Sequence, residues 1–206
     1  MRIWREKLWP SLCHKAMQAD RLERHRKKSV ERARGSVLEI GFGSGLNLMH
    51  YPAAVTSVTG IEPNPGLRKV AVKTMHEYVF SVTLLDMDAQ QLGFDDNAFD
   101  TVVSTWTLCS IRNLDQALAE VKRVLKPNGE FVFFEHGLAP EPNIQKWQRR
   151  LSRVTKHVFD GCTVDKQIAE RVSAAGLEIV ALENFFAEGI PRTEGYIYAG
   201  AARKTG

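Results

Sequence analysis

The spacing of apolar residues divides the chain into a helical start and a longer part in which strands and helices alternate. In the first segment Trp4, Leu8, Leu12 and Ala16 recur at helical spacing, which predicts one or two amphipathic helices before residue 35. Short apolar runs then predict strands at 36–40, 56–61, 79–85, 100–104, 130–135, 177–185 and 196–202. Because helical stretches separate most of these runs, the pattern is typical of a parallel α/β sheet.

Polar residues between these runs indicate where helices begin and where one helix is short or missing. Asn64 before Pro65, and Asn113 before a stretch with leucine and valine at helical spacing, are typical helix caps. The stretch 86–99 is rich in turn-forming residues, so we predict that the helix between the third and fourth strands is short or missing. A basic stretch at about 140–162 predicts a helical insertion before the sixth strand.

Length and composition indicate one globular domain in a reducing compartment. A chain of 206 residues with 44% hydrophobic residues can bury a sufficient core without disulfides or metals. The three cysteines are odd in number, far apart and in no CxxC pair, so we predict neither a disulfide framework nor a metal site. No run of about 20 apolar residues is present, and the expected location is the cytoplasm.

The net charge of +4 is unevenly distributed along the chain. Residues 1–34 contain eleven Lys and Arg against four Asp and Glu, so the remainder is acidic. A solvated helix face explains such a segment, and attraction to anionic lipid, nucleic acid or an acidic ligand is the alternative. Peripheral membrane contact through this basic segment is therefore one hypothesis.

A glycine-rich loop follows the first predicted strand and is the strongest local motif. Gly41, Gly43 and Gly45 come directly after a buried strand, where glycine allows a sharp turn and a close approach of backbone to ligand. Glu62 lies 21 residues beyond Gly41, at the end of the second strand, where a carboxylate can accept hydrogen bonds from two ribose hydroxyls. Leu46 replaces the third glycine of the dinucleotide fingerprint, which disfavours NAD. We expect an apolar helix to begin after the loop.

Four ordered segments, LEIGFGSGLNL, GIEPNP, DMDAQQLGFDDNAFD and EVKRVLKPNGEFVFFEHG, resemble the class I S-adenosylmethionine (SAM) dependent methyltransferases over about residues 35–137. The resemblance implies a single-domain, Rossmann-like α/β fold. Its seven-stranded, mainly parallel sheet has the order 3-2-1-4-5-7-6, with the seventh strand antiparallel and helices on both sides. It also implies SAM as cofactor and S-adenosylhomocysteine as product. Residues 1–34 would then form a helical cap, and 35–206 the SAM-binding domain.

The same resemblance assigns residues to the cofactor. Glu39 is expected near the methionine moiety, Glu62 at the ribose, and Asp88 with Ala89 at the adenine. The full predicted cofactor-binding set is Glu39, Gly41, Phe42, Gly43, Gly45, Asn47, Glu62, Pro63, Asp88, Ala89, Thr105 and Leu108.

Three shorter motifs indicate the class of methyl acceptor. The segments TLCS at 107–110, EH at 135–136 and FDGC at 159–162 resemble small bacterial methyltransferases related to the methyltransferase-like alkyl thiol methyltransferases. This resemblance implies a small, hydrophobic acceptor, with a thiol favoured. The long hydrophobic anchor of the mammalian members is not expected in this chain, so location and substrate are not carried over with it.

Methyl transfer from a sulfonium is an in-line displacement, and correct positioning alone can supply roughly 7 to 11 kcal/mol. His136, at the end of the fifth strand, is the predicted general base, and Asp160 is expected to reach the acceptor from the insertion. The structural alternatives are a histidine that bonds local backbone and an Asp-Gly turn. Trp106 either faces the sulfonium or packs in the core. The face formed by Trp4, Leu8 and Leu12 is expected to cover the acceptor pocket, and removal of residues 1–30 to spare the fold.

Other functions are compatible with the same cofactor site. A phospholipid amine or a quinone-precursor carbon are alternative acceptors, and a non-catalytic SAM-binding module would keep the glycine loop. A nucleic-acid substrate is not expected, because Ser104-Thr105-Trp106-Thr107 stands where amino-directed nucleic-acid enzymes carry Asn/Asp-Pro-Pro followed by an aromatic residue.

Overall fold

The computed structural model describes residues 4–73, 75 and 78–204, and its centre is a seven-stranded sheet. The strands are β1 (Gly35–Ile40), β2 (Val55–Ile61), β3 (Ser81–Leu85), β4 (Phe99–Thr105), β5 (Leu125–His136), β6 (Leu177–Phe186) and β7 (Tyr196–Lys204). Their order is 3-2-1-4-5-7-6; the β1 to β5 neighbours pair in parallel, and β7 is antiparallel to β5 and β6. The predicted fold class is confirmed.

Within the described residues six α-helices flank the sheet: α1 (Trp9–Met17), α2 (Asp20–Val30), α3 (Pro65–Ala71), α4 (Leu114–Val124), α5 (Pro142–Val158) and α6 (Ile168–Ala174). Both predicted caps are confirmed, since the Asn64 side chain accepts from the backbone of Gly66 and Leu67, and Asn113 accepts from Gln116. Between β3 and β4 the described chain forms turns and no helix, as predicted. Across the described residues, the helices are too short or too polar for any of them to span a membrane.

The prediction of a helix directly after the glycine loop is wrong. In its place the chain forms one 3-10 turn, Leu48–His50. Asn47 and Tyr51, on either side of this turn, both donate to the buried carboxylate of Glu39, at 2.7 and 2.9 Å. Pro52, which has no N–H to donate, follows directly. These bonds hold the segment close to β1, so a regular helix does not form.

The second N-terminal helix belongs to the core. Val30 and Ala33 are fully buried in the same cluster as Val37 of β1 and Val103 of β4, and α2 packs against β4 and β5. The packing of α2 argues against the expectation that residues 1–30 can be removed without loss of the fold, because α2 covers apolar surface of the sheet. The boundary at residue 34 separates two parts of one packed unit.

Candidate functional site

A cleft of about 1170 Å³ opens at the carboxyl ends of β1, β2 and β4. This is the edge at which open α/β sheets bind nucleotides. Its volume is somewhat larger than the roughly 300 to 1000 Å³ usual for small-molecule sites. The cleft therefore has room for a nucleoside cofactor together with a second small molecule.

The glycine loop forms one wall of the cleft in a conformation that side chains rarely adopt. Gly41, Gly43 and Gly45 have φ angles of 68°, 58° and 79°. A Cβ atom on Gly41 would lie 2.1 Å from Oγ1 of Thr107, so this position requires glycine for space as well as for its φ angle. At Gly45 the backbone N–H closes a turn on the carbonyl of Phe42 at 3.0 Å. Gly45 thus shapes the loop without lining the cleft.

Glu62 holds two segments of the cleft together. Its carboxylate accepts hydrogen bonds from the backbone N–H of Gly43 at 2.9 Å and of Asn64 at 2.8 Å. Burial raises the pKa of Glu62, although both backbone bonds favour the ionised form. Because a carboxylate has about four lone-pair sites, it can still accept from two ribose hydroxyls. Glu62, which the sequence predicts to bind ribose, lines the cleft.

Glu39 is the second buried carboxylate, and it is the centre of a network that closes the other end of the cleft. Besides Asn47 and Tyr51, the network includes Arg26 of α2, whose Nη1 donates to Oδ1 of Asn47 at 2.9 Å. Asn47 also donates to Oγ1 of Thr105 at 3.0 Å. Burial raises the pKa of Glu39 to about 7, against the opposing effect of its hydrogen bonds and of Arg26. Arg26 and Tyr51 were not predicted from the sequence.

SAM binding is expected to tighten as the pH rises from about 5.5 to about 7.5, with release of protons. Glu39, with a pKa of about 7, is largely protonated at the acid end, and a cationic ligand favours the carboxylate. Affinity then rises by up to about tenfold per pH unit for each such group and levels off above its pKa. Calorimetry in buffers of different ionisation enthalpy measures this release. Glu39→Gln should remove most of it, and a flat affinity in the unchanged protein would contradict the protonated state.

The loop after β4 is held by a third buried carboxylate, Glu135. It accepts from Oγ of Ser104 at 2.8 Å and from the backbone N–H of Thr107 and Leu108 at 2.9 and 3.1 Å. Leu108 itself is fully buried in the core, so its predicted contact with the cofactor is not supported. Thr107 lines the cleft in its place.

Trp106 lies on the cleft wall in the left-handed region, with a φ angle of 50°. Its ring packs edge to face on Phe134, and the guanidinium of Arg26 lies 5.6 Å from its ring centre. The structure thus places Trp106 at the boundary between core and cleft. Both roles expected for it from the sequence are compatible with this position.

Nine predicted cofactor residues line one cleft: Glu39, Gly41, Phe42, Gly43, Glu62, Pro63, Asp88, Ala89 and Thr105. Gly45, Asn47 and Leu108 lie behind this surface, where they shape the loop, bond Glu39 and fill the core. Asp88 forms a local turn by accepting from the backbone of Gln90 at 2.9 Å.

The helical segments supply the opposite wall, but through other residues than expected. Leu8 and Leu12 are more than half exposed and point away from the cleft. Trp9, Cys13 and Met17 line it instead. The Trp9 ring lies 5.3 Å from that of Phe159, which follows α5. The prediction that the Trp4, Leu8 and Leu12 face covers the pocket is wrong, because α1 is oriented with the Trp9 side toward the cleft.

The two predicted catalytic residues do not come together. Asp160 lines the cleft, where its Oδ2 accepts from Nδ2 of Asn64 at 2.9 Å. His136 does not belong to the described residues that line the cleft. Its Nε2 lies 3.4 Å from Sγ of Cys162. Burial lowers the pKa of His136, but the charge and hydrogen bond of Cys109, together with Glu135 and the backbone of Glu194, outweigh this and raise it to about 9. Hydrogen bonds from Cys162 and the charge of His136 hold the pKa of Cys109 well below its usual range.

The sheet order, the glycine loop and the paired carboxylates define the Rossmann-like fold of the SAM-dependent methyltransferases, and residues 38–133 match the methyltransferase domain family. The chain belongs to the class I SAM-dependent methyltransferases, whose cofactor is SAM.

Among its relatives is the thiol S-methyltransferase TMT1B of Rattus norvegicus, 35% identical over 154 residues that make up 72% of this chain and 62% of the relative. Another is a phosphatidylethanolamine N-methyltransferase of Cereibacter sphaeroides, 32% identical over 58% of this chain and 59% of the relative. The chain thus spans about 60% of the length of these relatives. Among solved structures, the methyltransferase in complex with the Haloferax volcanii Trm112 activator has a TM-score of 0.74 and 18% identity, and 97% of each chain is covered.

Proposed function

We propose that this protein transfers the methyl group of SAM to a small, hydrophobic acceptor, with a thiol as the favoured class. The observation that carries the proposal is the meeting of a glycine loop, two buried carboxylates and an aromatic wall around one cleft. A Cβ atom would fill the space at Gly41, and Glu39 and Glu62 supply negative charge on the cleft wall. These features fit a cationic adenosyl ligand.

SAM, when bound, supplies a methyl group on a positively charged sulfur that is displaced in line by the acceptor. The residues of this chain bind and align it. Glu62 accepts from the ribose, while Glu39 faces the amino-acid end through its bonds to Asn47 and Tyr51. Trp106 offers a ring face for the sulfonium. Trp9 and Phe159 exclude water from the acceptor side, which strengthens these electrostatic contacts.

A thiol acceptor reacts as its thiolate, and cationic groups on the wall favour that form. Lys156 and Lys166 both line the cleft. The Lys166 ammonium donates to the carbonyls of Leu108 and Ile111, which fixes it at the acceptor side. Burial lowers the pKa of Lys166, and the nearby thiol and carboxyl groups oppose this effect. The thiol S-methyltransferase relatives add support for this class of acceptor.

A methyl-transfer screen with labelled SAM tests the proposal against its alternatives. An alkyl thiol, phosphatidylethanolamine in vesicles and a quinone precursor are offered separately, and the label is expected mainly on the thiol. Preferential labelling of the lipid would favour the amine acceptor suggested by the phosphatidylethanolamine relative. SAM binding without transfer to any acceptor would favour a non-catalytic binding module.

We also propose that the protein acts in the cytoplasm and contacts the membrane peripherally through an apolar-basic surface, defined as Leu8, Leu12, Trp147 and Val154 with the basic residues of α5. These four apolar side chains are each more than half exposed. The indole N–H of Trp4 donates to the carbonyl of Val158 at 2.9 Å, so the N-terminal segment lies beside the end of α5. Exposed apolar groups interleaved with cations are typical of helices at anionic interfaces.

Sedimentation with vesicles tests this surface. The protein is expected to bind vesicles that contain phosphatidylserine and to be released by salt. The double variant Trp147→Ser, Val154→Ser should lose most of this binding. Val180→Ser, an exposed valine on β6, is the matched control and should retain it. Equal binding by both variants, or no binding by the unchanged protein at low salt, would contradict the membrane contact.

A further inference from the structure

Three side chains that can ligate a metal lie together beside the cleft although they are far apart in sequence. Cys109 lies in the 3-10 turn Leu108–Ser110, His136 ends β5, and Cys162 follows α5. Their ligand atoms all lie within 4.8 Å of one another. We propose that Cys109, His136 and Cys162 form a zinc site with three protein ligands and a fourth position for water or another small ligand. The sequence predicted no metal site, because spacing along the chain does not show this convergence.

The distances suit a tetrahedral ion. Zinc lies about 2.3 Å from thiolate sulfur and about 2.0 to 2.1 Å from imidazole nitrogen, so the sulfur and nitrogen ligands of one ion are separated by roughly 3.5 Å. The distance from Sγ of Cys162 to Nε2 of His136 is 3.4 Å. All three ligand atoms lie within 4.8 Å of one another, so binding requires the side chains to move inward to share one ion.

The two cysteines are held by backbone bonds that do not use their sulfur atoms. The Cys109 carbonyl accepts from both the N–H and the Oγ1 of Thr163, each at 3.1 Å. The Cys162 carbonyl accepts from Oγ1 of Thr155 at 2.8 Å. The His136 ring also hydrogen-bonds the backbone of Glu194, and a backbone bond to the second ring nitrogen commonly fixes a metal-binding imidazole.

The donor set selects the class of ion. Two thiolates and one imidazole favour zinc over the hard cations calcium and magnesium, which prefer oxygen. One Zn²⁺ with two thiolates is locally neutral, which suits a site where Cys109 is only 2% exposed. The neighbours Ser110, Gly161 and Thr163 line the cofactor cleft, so the metal would lie directly behind its wall. Cys13, the remaining cysteine, lines the cleft and is outside the cluster.

Zinc and cobalt titrations of the full chain, stripped with a chelator and kept reduced, test the proposal. One equivalent of Zn²⁺ is expected to bind, and Co²⁺ should give the visible bands of a tetrahedral thiolate complex that zinc abolishes. Cys109→Ser and Cys162→Ser should each weaken zinc binding by about 100-fold or more, since one of three ligands is lost. Cys13→Ser is the matched control and should bind zinc like the unchanged protein.

A second measurement does not depend on the folding of variants. In the unchanged protein, zinc should slow the alkylation of Cys109 and Cys162, followed by mass spectrometry, and leave Cys13 unaffected. Absence of a stoichiometric zinc complex in the reduced protein would overturn the proposal. So would equal zinc binding by a folded Cys109→Ser, Cys162→Ser double variant, because the ion would then be adventitious or bound elsewhere.

Discussion

Deletion of residues 1–33 is expected to abolish cooperative folding, whereas deletion of residues 1–18 should leave a folded protein. The longer deletion removes Leu22 and Val30, which are 5% and 0% exposed. Full burial of such side chains contributes about 1.5 to 3 kcal/mol each, so their loss alone approaches the roughly 5 to 15 kcal/mol that stabilises a typical domain. It also removes Arg26 from the network around Glu39. The shorter deletion removes α1, which covers the cleft. It leaves α2 in place.

Thermal melting followed by circular dichroism distinguishes the two fragments. The 19–206 fragment should melt cooperatively and bind SAM with reduced affinity, while its methyl transfer should fall steeply because Trp9 no longer excludes water. A cooperative transition in the 34–206 fragment, at a temperature close to that of the full chain, would show that the sheet is stable without α2. The first expectation drawn from the sequence would then be correct after all.

Glu62→Ala is expected to weaken SAM binding by about 100-fold or more. The substitution removes the charged acceptor of two ribose hydroxyls, each such bond being worth about 1.5 to 3 kcal/mol, and it leaves the N–H groups of Gly43 and Asn64 unpaired. Glu62→Gln should recover little, since its amide NH₂ would face one of these N–H donors. The two effects act on the same loop, so the loss is larger than that of the ribose contacts alone.

Calorimetry with SAM and with S-adenosylhomocysteine measures the loss, and Glu178→Ala, an exposed glutamate on β6, is the matched control. His136→Ala should weaken SAM binding less than Glu62→Ala, because His136 faces the cysteines and not the cleft. Unchanged affinity in a folded Glu62→Ala protein, or binding of NAD as tight as that of SAM, would contradict the assignment of the cofactor site.

The parts of the fold and site that could be predicted are those determined by local sequence. Strands reveal themselves as short apolar runs, and the positive φ angles of Gly41 and Gly45 follow from a motif of adjacent residues. The role of Glu62 can be predicted because the number of residues between the ends of the first two strands is nearly constant in such folds. The cap at Asn64 likewise depends only on the residues beside it.

The parts that could not be predicted depend on packing between distant segments. Arg26 is one of eleven basic residues in its segment, and only the docking of α2 makes it a partner of Asn47. Leu108 is a neighbour of cleft residues in sequence, yet the turn that contains it directs its side chain into the core. His136 lies at the expected strand end, but its environment depends on Cys162, which is 26 residues later in the sequence.

The division of the cleft between two structural sources affects how its chemistry can diversify. Strand ends and the glycine loop form its base, while the Trp9 and Phe159 pair belongs to segments outside the sheet. Exchanges in those segments alter the shape offered to an incoming nucleophile without disturbing the carboxylates that bind the sulfonium donor. A new acceptor range can therefore be reached by recombining or redesigning α1 and the end of α5, while the carboxylates that bind the donor are retained.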